Sequence, residues 1–125
     1  METYRNVMES EAARFSGSPA AQVINVLSTR WGVLTVEAVR DGNMRFNELQ
    51  RHLCGISHKV LIDTLRALQR DGFIRGPLTD PRLTEYVLTP VGAELIELIN
   101  EIRRWSEDRQ GRLARARDEF DRGRD

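Results

Sequence analysis

Apolar residues recur at intervals of three and four along most of this chain, which is the periodicity of an amphipathic helix. The first such segment covers residues 2–15 and ends at a Ser-Gly-Ser-Pro sequence. Ser18 and Pro19 have the residue types preferred at an N-cap and at the first helical position, so a helix is predicted over residues 19–29. A further helix is predicted over residues 30–40, with apolar positions at Trp31, Leu34, Ala38 and Val39.

The middle of the chain predicts two short helices separated by a tight connection. Asn47 is expected to cap the first of them, which runs through Leu53, with Gln50 reaching back toward the cap. The connection follows as Cys54-Gly55-Ile56, and Ser57 can cap the second helix through its hydroxyl. This second helix is predicted to end near residue 70.

The second of these helices has two distinct faces. Its apolar residues, Leu61, Leu65 and Leu68, lie on one side and predict a buried stripe. At 100° per residue, the side chains that face away from the core are Lys59, Asp63, Arg66 and Arg70.

After residue 72 the pattern changes from helical spacing to short extended runs. Residues 73–75 and 84–89 predict two strands around a polar loop at 76–83. Thr89 and Pro90 again predict a capped helix start, and the helix that follows is expected to reach about residue 109. Beyond Gly111, charged residues surround only two large apolar ones, which indicates a solvated helix or a frayed tail.

Two short helices joined by four residues and followed by a hairpin are the parts of a winged helix-turn-helix. The expected fold class is therefore mainly α with a small β-hairpin. We divide the chain into a helical N-terminal extension at 1–17, a winged helix-turn-helix domain with a long C-terminal helix at 18–110, and a charged tail at 111–125.

The charge distribution supports this topology as a DNA-binding one. The formal net charge is zero, with 19 basic and 19 acidic residues, yet residues 45–82 hold seven basic and four acidic side chains. Because phosphate responds to the local potential, such a basic segment can bind nucleic acid in a neutral protein. The residues predicted to contact double-stranded DNA are Arg45, Ser57, His58, Lys59, Arg66 and Arg82.

The last predicted helix carries more apolar surface than a small core requires, which favours a second subunit as its partner. The predicted homodimer interface consists of Val23, Leu27, Leu95, Leu98, Ile102 and Trp105. Trp31 and Trp105 are either core or interface residues, or they line an aromatic pocket for a small-molecule effector.

The same residues resemble a known family, the HxlR-type winged helix-turn-helix transcriptional regulators of bacteria. The resemblance covers residues 18–105 and rests on ordered motifs that include Arg45-Phe46-Asn47-Glu48-Leu49 and Gly55-Ile56-Ser57-His58-Lys59-Val60-Leu61. It implies a homodimer that forms through the first and last helices and binds a pseudo-palindromic operator. Many relatives sense electrophiles or oxidants through a cysteine before the proline that corresponds to Pro19. This chain has Ser18 there, so we expect no thiol sensing at that position.

Several alternatives stay open. Cys54 is either a reactive thiol near a helix N-terminus or a small turn residue. With His52 and His58 it falls short of a zinc site, and we expect no metal and no cofactor. Phosphate-cradling loops and nucleophile motifs are lacking, so an enzyme is not expected. The apolar runs are too short for a membrane helix, and a cytoplasmic protein is expected. The competing interpretation is a winged-helix scaffold that binds a protein partner instead of DNA.

Overall fold

The structure is a computed structural model that describes residues 10–124. Helix α1 is described over residues 10–16, so most of the predicted first helix lies outside the described residues. The elements that follow are α2 (Pro19–Leu27), α3 (Arg30–Asp41), α4 (Phe46–His52), α5 (His58–Arg70), β1 (Ile74–Arg75), β2 (Val87–Leu88), α6 (Pro90–Asp108) and α7 (Gln110–Gly123). The prediction of a mainly helical winged fold with a small hairpin is confirmed.

Three helices begin at the predicted caps. The side-chain oxygens of Ser18, Ser57 and Thr89 each accept a hydrogen bond from an amide of the first turn that follows, at 3.0–3.3 Å. Proline occupies the first position of α2 and α6, where its missing N–H costs no hydrogen bond. These local signals were sufficient because a cap involves only residues within one turn of the helix.

The predicted cap of α4 is wrong. The helix begins at Phe46, before Asn47, and Arg45 is its N-cap residue. Glu48, rather than Gln50, reaches back and accepts a hydrogen bond from the Arg45 amide at 3.2 Å. Immediately before this start, Met44 pairs with Tyr86 in an isolated antiparallel bridge.

The core lies around α3, which packs against α2, α4, α5, α6 and β2. Its buried face includes Ala38 and Val39 as predicted, but Leu34 is exposed and Trp31 only half-buried, while Thr35 and Val36 are fully buried. A helix surrounded by five elements buries more of its circumference than an amphipathic surface helix. On α5 the predicted stripe of Leu61, Leu65 and Leu68 is confirmed as buried.

The two strands form an antiparallel pair in which Ile74 lies opposite Leu88 and Arg75 opposite Val87. Each strand has two residues, so the predicted strands at 73–75 and 84–89 were too long. The segment between them forms turns and projects beyond the hairpin. We call residues 76–83 the wing loop.

Helix α7 follows α6 after a break at Arg109, and all of its residues are exposed. Leu113 and Phe120 are its large apolar side chains, and both are exposed. Within residues 10–124, no helix combines the length and apolar character needed to cross a membrane.

Candidate nucleic-acid interface

A sharp turn orients α5 relative to α4. Gly55 has a φ of +94°, a conformation that L side chains rarely adopt, and the Ile56 amide donates to the Leu53 carbonyl at 3.1 Å. Leu53 and Ile56 are buried on either side of the turn, whereas Ser57 and Cys54 are exposed. The first turn of α5 is therefore presented to solvent while the turn itself is anchored in the core.

The N-terminal turn of α5 offers groups that suit an anion. The first amides of a helix have no intrahelical partner, and the helix dipole places partial positive charge there. Ser57 caps one of these amides, His58 and Lys59 follow as exposed residues, and no acidic residue occupies the first turn. Such a terminus can approach a phosphate or a base edge without electrostatic penalty.

The outward face of α5 is as predicted. Lys59, Arg66 and Arg70 are exposed on the side opposite the buried leucines. Asp63 is also exposed on this helix, at the edge of the basic residues. A helix with this width of polar surface fits the major groove of B-form DNA.

His58 makes a contact that the sequence did not suggest. Its ring packs against Phe46, the first residue of α4, with ring centroids 4.8 Å apart and an interplanar angle of 59°. This tilted geometry is a favourable one for aromatic rings, and it restricts the imidazole to one side of α5. The contact joins the first turns of the two helices of the helix-turn-helix.

A hollow of about 350 Å³ separates α5 from the wing loop. His58 and Arg66 line it from α5, and Pro77 and Leu78 line it from the wing loop. Two of the predicted DNA-contacting residues are thus brought into one concave surface. Arg45 lies next to Phe46 in the chain and is exposed, whereas Ser57 and Lys59 lie at the tip of α5.

Gln69 connects the wing loop to α5. Its side chain is only 5% exposed, and its Nε2 donates to the Leu65 carbonyl at 3.1 Å. Its Oε1 accepts a hydrogen bond from the Leu78 amide at 3.2 Å. A buried amide with both ends paired holds its partners in one arrangement, so Gln69 sets the position of the wing loop relative to α5.

Arg82 is not a free cation. Its guanidinium nitrogens Nε and Nη2 donate hydrogen bonds to the two carboxylate oxygens of Asp80 at 3.1 and 3.2 Å. These hydrogen bonds hold the pKa of the Asp80 carboxyl below its ordinary value. The Arg82 side chain is 90% exposed, so it can still reach a phosphate, but the neighbouring carboxylate reduces its attraction for one.

Sequence reasoning missed Gln69, Phe46 and Leu78 as parts of this surface. The position of Gln69 at the edge of the buried stripe of α5 was a usable signal, because polar residues at such positions need a partner. Leu78 is 63% exposed near the tip of the wing loop, and no periodic pattern predicts that exposure.

The predicted dimer residues fall into three groups. Leu98, Ile102 and Trp105 are exposed along α6 and form a stripe that we call the α6 stripe. Val23 and Leu27 are half-buried against the core. Leu95 belongs inside the subunit, because it is 4% exposed in the core cluster, so its assignment to an interface is wrong.

The two tryptophans do not share a pocket. Trp31 lines one hollow with α2 and α5 and another with His52 and Cys54, and Trp105 lines neither of them. Trp105 is 54% exposed and is covered on one face by the Arg109 guanidinium, 4.3 Å from the ring centroid. Neither hollow joins the two tryptophans within the described part of one subunit, and a shared aromatic pocket stays a prediction.

A turn-anchored outward helix, a second short helix packed against its first turn and a hairpin held beside it define a winged helix-turn-helix, the architecture of many DNA-binding regulators. Comparison with known proteins assigns the chain more narrowly. Residues 26–113 match the family described as HxlR-like helix-turn-helix, and the chain belongs to this family.

Relatives of the chain are transcriptional regulators. The HTH-type transcriptional regulator YtfH of Escherichia coli K12 is 36% identical over 104 residues, which cover 81% of this chain and 82% of YtfH. The structure of the transcriptional regulator ytfH from Salmonella typhimurium has a TM-score of 0.61 at 33% identity and covers 82% of this chain and 94% of its own. The reduced form of the transcriptional regulator YodB from Bacillus subtilis has a TM-score of 0.58 at 27% identity, over 67% of this chain and 84% of that one.

Proposed function

We propose that this protein is a homodimeric repressor that reads a pseudo-palindromic DNA site with α5 and is modulated by a small molecule. The observation that carries the DNA-binding role is the solvent-exposed, basic outer face of α5, whose inner face is anchored in the core. Family membership supports the regulatory role.

We assign different tasks to the exposed groups. His58 and Lys59, at the leading turn of α5, are proposed to contact base edges in the major groove, with Ser57 beside them. Arg45, Arg66 and Arg82 are proposed to contact phosphates, which position the helix without reading sequence. Because Arg82 already pairs with Asp80, its contribution should be smaller than that of Arg66.

The homodimer is supported by the α6 stripe. Leu98, Ile102 and Trp105 are 40–54% exposed on one helix, an arrangement that costs free energy in water unless it is covered. We propose that a two-fold dimer through this stripe presents both α5 helices to one duplex. Their half-sites should then lie about 34 Å apart, or a close multiple of that distance.

We propose that the protein represses by occupying its DNA site, because a dimer bound across a promoter excludes RNA polymerase from the same duplex. Modulation by a small molecule has support from YodB of Bacillus subtilis, which has also been solved in a quinone-bound form. Thiol sensing before Pro19 is not part of this proposal, because the residue there is Ser18, whose hydroxyl makes the N-cap of α2.

The proposal is tested by selecting bound fragments from genomic DNA and measuring affinity for them as a function of salt. Loss of one phosphate contact should reduce the slope of log affinity against log salt by about 0.9. Arg66→Ala should therefore lower the slope and weaken binding to all sequences alike, and Arg82→Ala should do so less. Substitution of His58 or Lys59 by alanine should instead change the preferred sequence.

Arg104→Ala serves as the matched control, because Arg104 is an exposed arginine on α6 outside the proposed DNA surface. It should leave both affinity and slope unchanged. If the protein shows no salt-dependent retention on random duplex, the scaffold interpretation is preferred over the regulator. If all of these variants bind DNA like the unmodified protein, the assignment of α5 as the DNA-contacting helix is wrong.

A further inference from the structure

A second concave surface lies on the flank of α5 that faces away from the wing loop. It has a volume of about 380 Å³ and is bounded by α2, the start of α3 and α5. This volume falls within the usual range for small-molecule sites. We call it the flank cavity.

The walls of the flank cavity are mainly apolar. Val26 comes from α2, Trp31 from α3, and Val60, Ala67 and Leu68 from α5. The two threonines at its edge use their hydroxyls internally, since Thr29 donates to the Val26 carbonyl and Thr64 to the Val60 carbonyl. A bound molecule would therefore meet hydrocarbon and an indole ring over most of its surface.

The charged groups at the flank cavity are all negative. Asp63 and Asp71 line it, and no basic residue does, although the chain has 19 arginines and lysines. The three ion pairs formed among residues 10–124 involve other residues. Lys59 and Arg66 lie one turn from Asp63 on α5 but are exposed and do not line the cavity, and Arg70 lines a neighbouring hollow with Asp71.

The backbone adds to this negative potential at one end of the cavity. Asp71 is the C-cap of α5, where the last carbonyls of the helix concentrate partial negative charge. A carboxylate at this position is stabilised by a nearby cation. The Trp31 ring already carries the Arg30 guanidinium, 4.9 Å from its centroid, so the attraction for a cation comes from the carboxylates.

We propose that the flank cavity binds a small organic cation with an aromatic or aliphatic body, its ammonium group attracted by the carboxylates of Asp63 and Asp71. Five of its lining residues belong to α5, so an occupant would contact the helix that presents the proposed DNA-reading groups. The regulatory consequence rests on the proposed function, whereas the binding itself does not.

Three probes that differ mainly in their polar end test the charge requirement: phenylbutylammonium, phenylbutanol and phenylbutyrate. Isothermal titration calorimetry on the full chain should show that the ammonium binds about tenfold more tightly than the alcohol. The carboxylate should bind more weakly than the alcohol. Equal affinity for the ammonium and the alcohol would overturn the proposal, as would undetectable binding of the ammonium.

Two variants and one control locate the site. Asp63→Asn combined with Asp71→Asn should abolish the preference for the ammonium over the alcohol. Ala67→Leu should fill the flank cavity and weaken both probes while leaving the charges intact. Glu119→Gln, which removes an exposed carboxylate on α7, should change nothing.

If the ammonium retains its affinity in both the charge variant and Ala67→Leu, it binds elsewhere and the proposal is wrong. Because none of these titrations contains DNA, such a failure leaves the regulator proposal untouched. If the probe binds as expected, its effect on DNA affinity must equal the effect of DNA on probe affinity.

Discussion

Gly92 lies at the closest approach between α6 and the hairpin, which makes its replacement by alanine a sharp test of the packing. A Cβ built at this position lies 2.1 Å from the Phe73 carbonyl oxygen and 2.7 Å from Cδ1 of Leu88. The first of these atoms belongs to the backbone and accepts a hydrogen bond from the Thr89 amide at 3.2 Å, while the Thr89 hydroxyl shares its one proton between this oxygen and the closer Gly72 carbonyl. The added methyl group must therefore push α6 away from β1.

The expected cost can be estimated from the contacts. Loss of the amide hydrogen bond to Phe73 costs about 1 kcal/mol, and overpacking adds about 1–3 kcal/mol. Alanine recovers about 1 kcal/mol through its higher helix propensity. Gly92→Ala should therefore lower the free energy of unfolding by about 1–3 kcal/mol and the Tm by roughly 4–12 °C.

The assay is urea unfolding followed by circular dichroism, with all variants at one protein concentration because association contributes to stability. Gly111→Ala on α7 is the matched control, since nothing lies within 4 Å of a Cβ there. It should leave stability unchanged or raise it by up to about 1 kcal/mol. If the free energy of unfolding of Gly92→Ala lies within about 0.5 kcal/mol of that of the unmodified chain, this explanation of how α6 packs on the hairpin is wrong.

Three further outcomes are expected. Gln69→Leu removes the acceptor for the Leu78 amide, so hydrogen exchange should accelerate in the wing loop but not in α5, and equal exchange would contradict a tethering role. Burial raises the pKa of Tyr86, so the stability of the unmodified chain should fall as pH rises above about 10. Urea midpoints measured against pH should show a smaller fall for Tyr86→Phe. Parallel curves for the two proteins would show that Tyr86 is not responsible. Ile102→Glu places a charge in the α6 stripe and should yield monomers in analytical ultracentrifugation, whereas an intact dimer would exclude this stripe as the interface.

The success of the helix predictions has a local cause. Ser57 and Thr89 cap helices through contacts three residues away, and the stripe of Leu61, Leu65 and Leu68 repeats with the helical period. Sequence reading failed where a distant residue decided the outcome. The bridge between Met44 and Tyr86 spans 42 positions, and it accompanies an α4 start that the Asn47 motif did not predict.

The candidate interface shows the same division. Lys59 and Arg66 were recognised from the wheel of α5 alone, because exposure follows directly from their angle to the leucines. The pairing of Arg82 with Asp80 was missed although it joins near neighbours, since side-chain rotamers in a loop have no periodic signature. Leu95 was misplaced because apolar spacing cannot distinguish a core neighbour from a second subunit.

Periodicity, capping residues and charge placement determined the helices, the order of elements and the basic outer face of α5. Tertiary structure alone decided that Gln69 holds the wing loop, that His58 packs on Phe46, and that an acidic cavity lies on the other flank of α5. The physical reason is the distance along the chain over which each interaction acts. Propensities and caps act within one or two helical turns, whereas cavities and tethers arise only after packing fixes the angles between elements that are far apart in the chain.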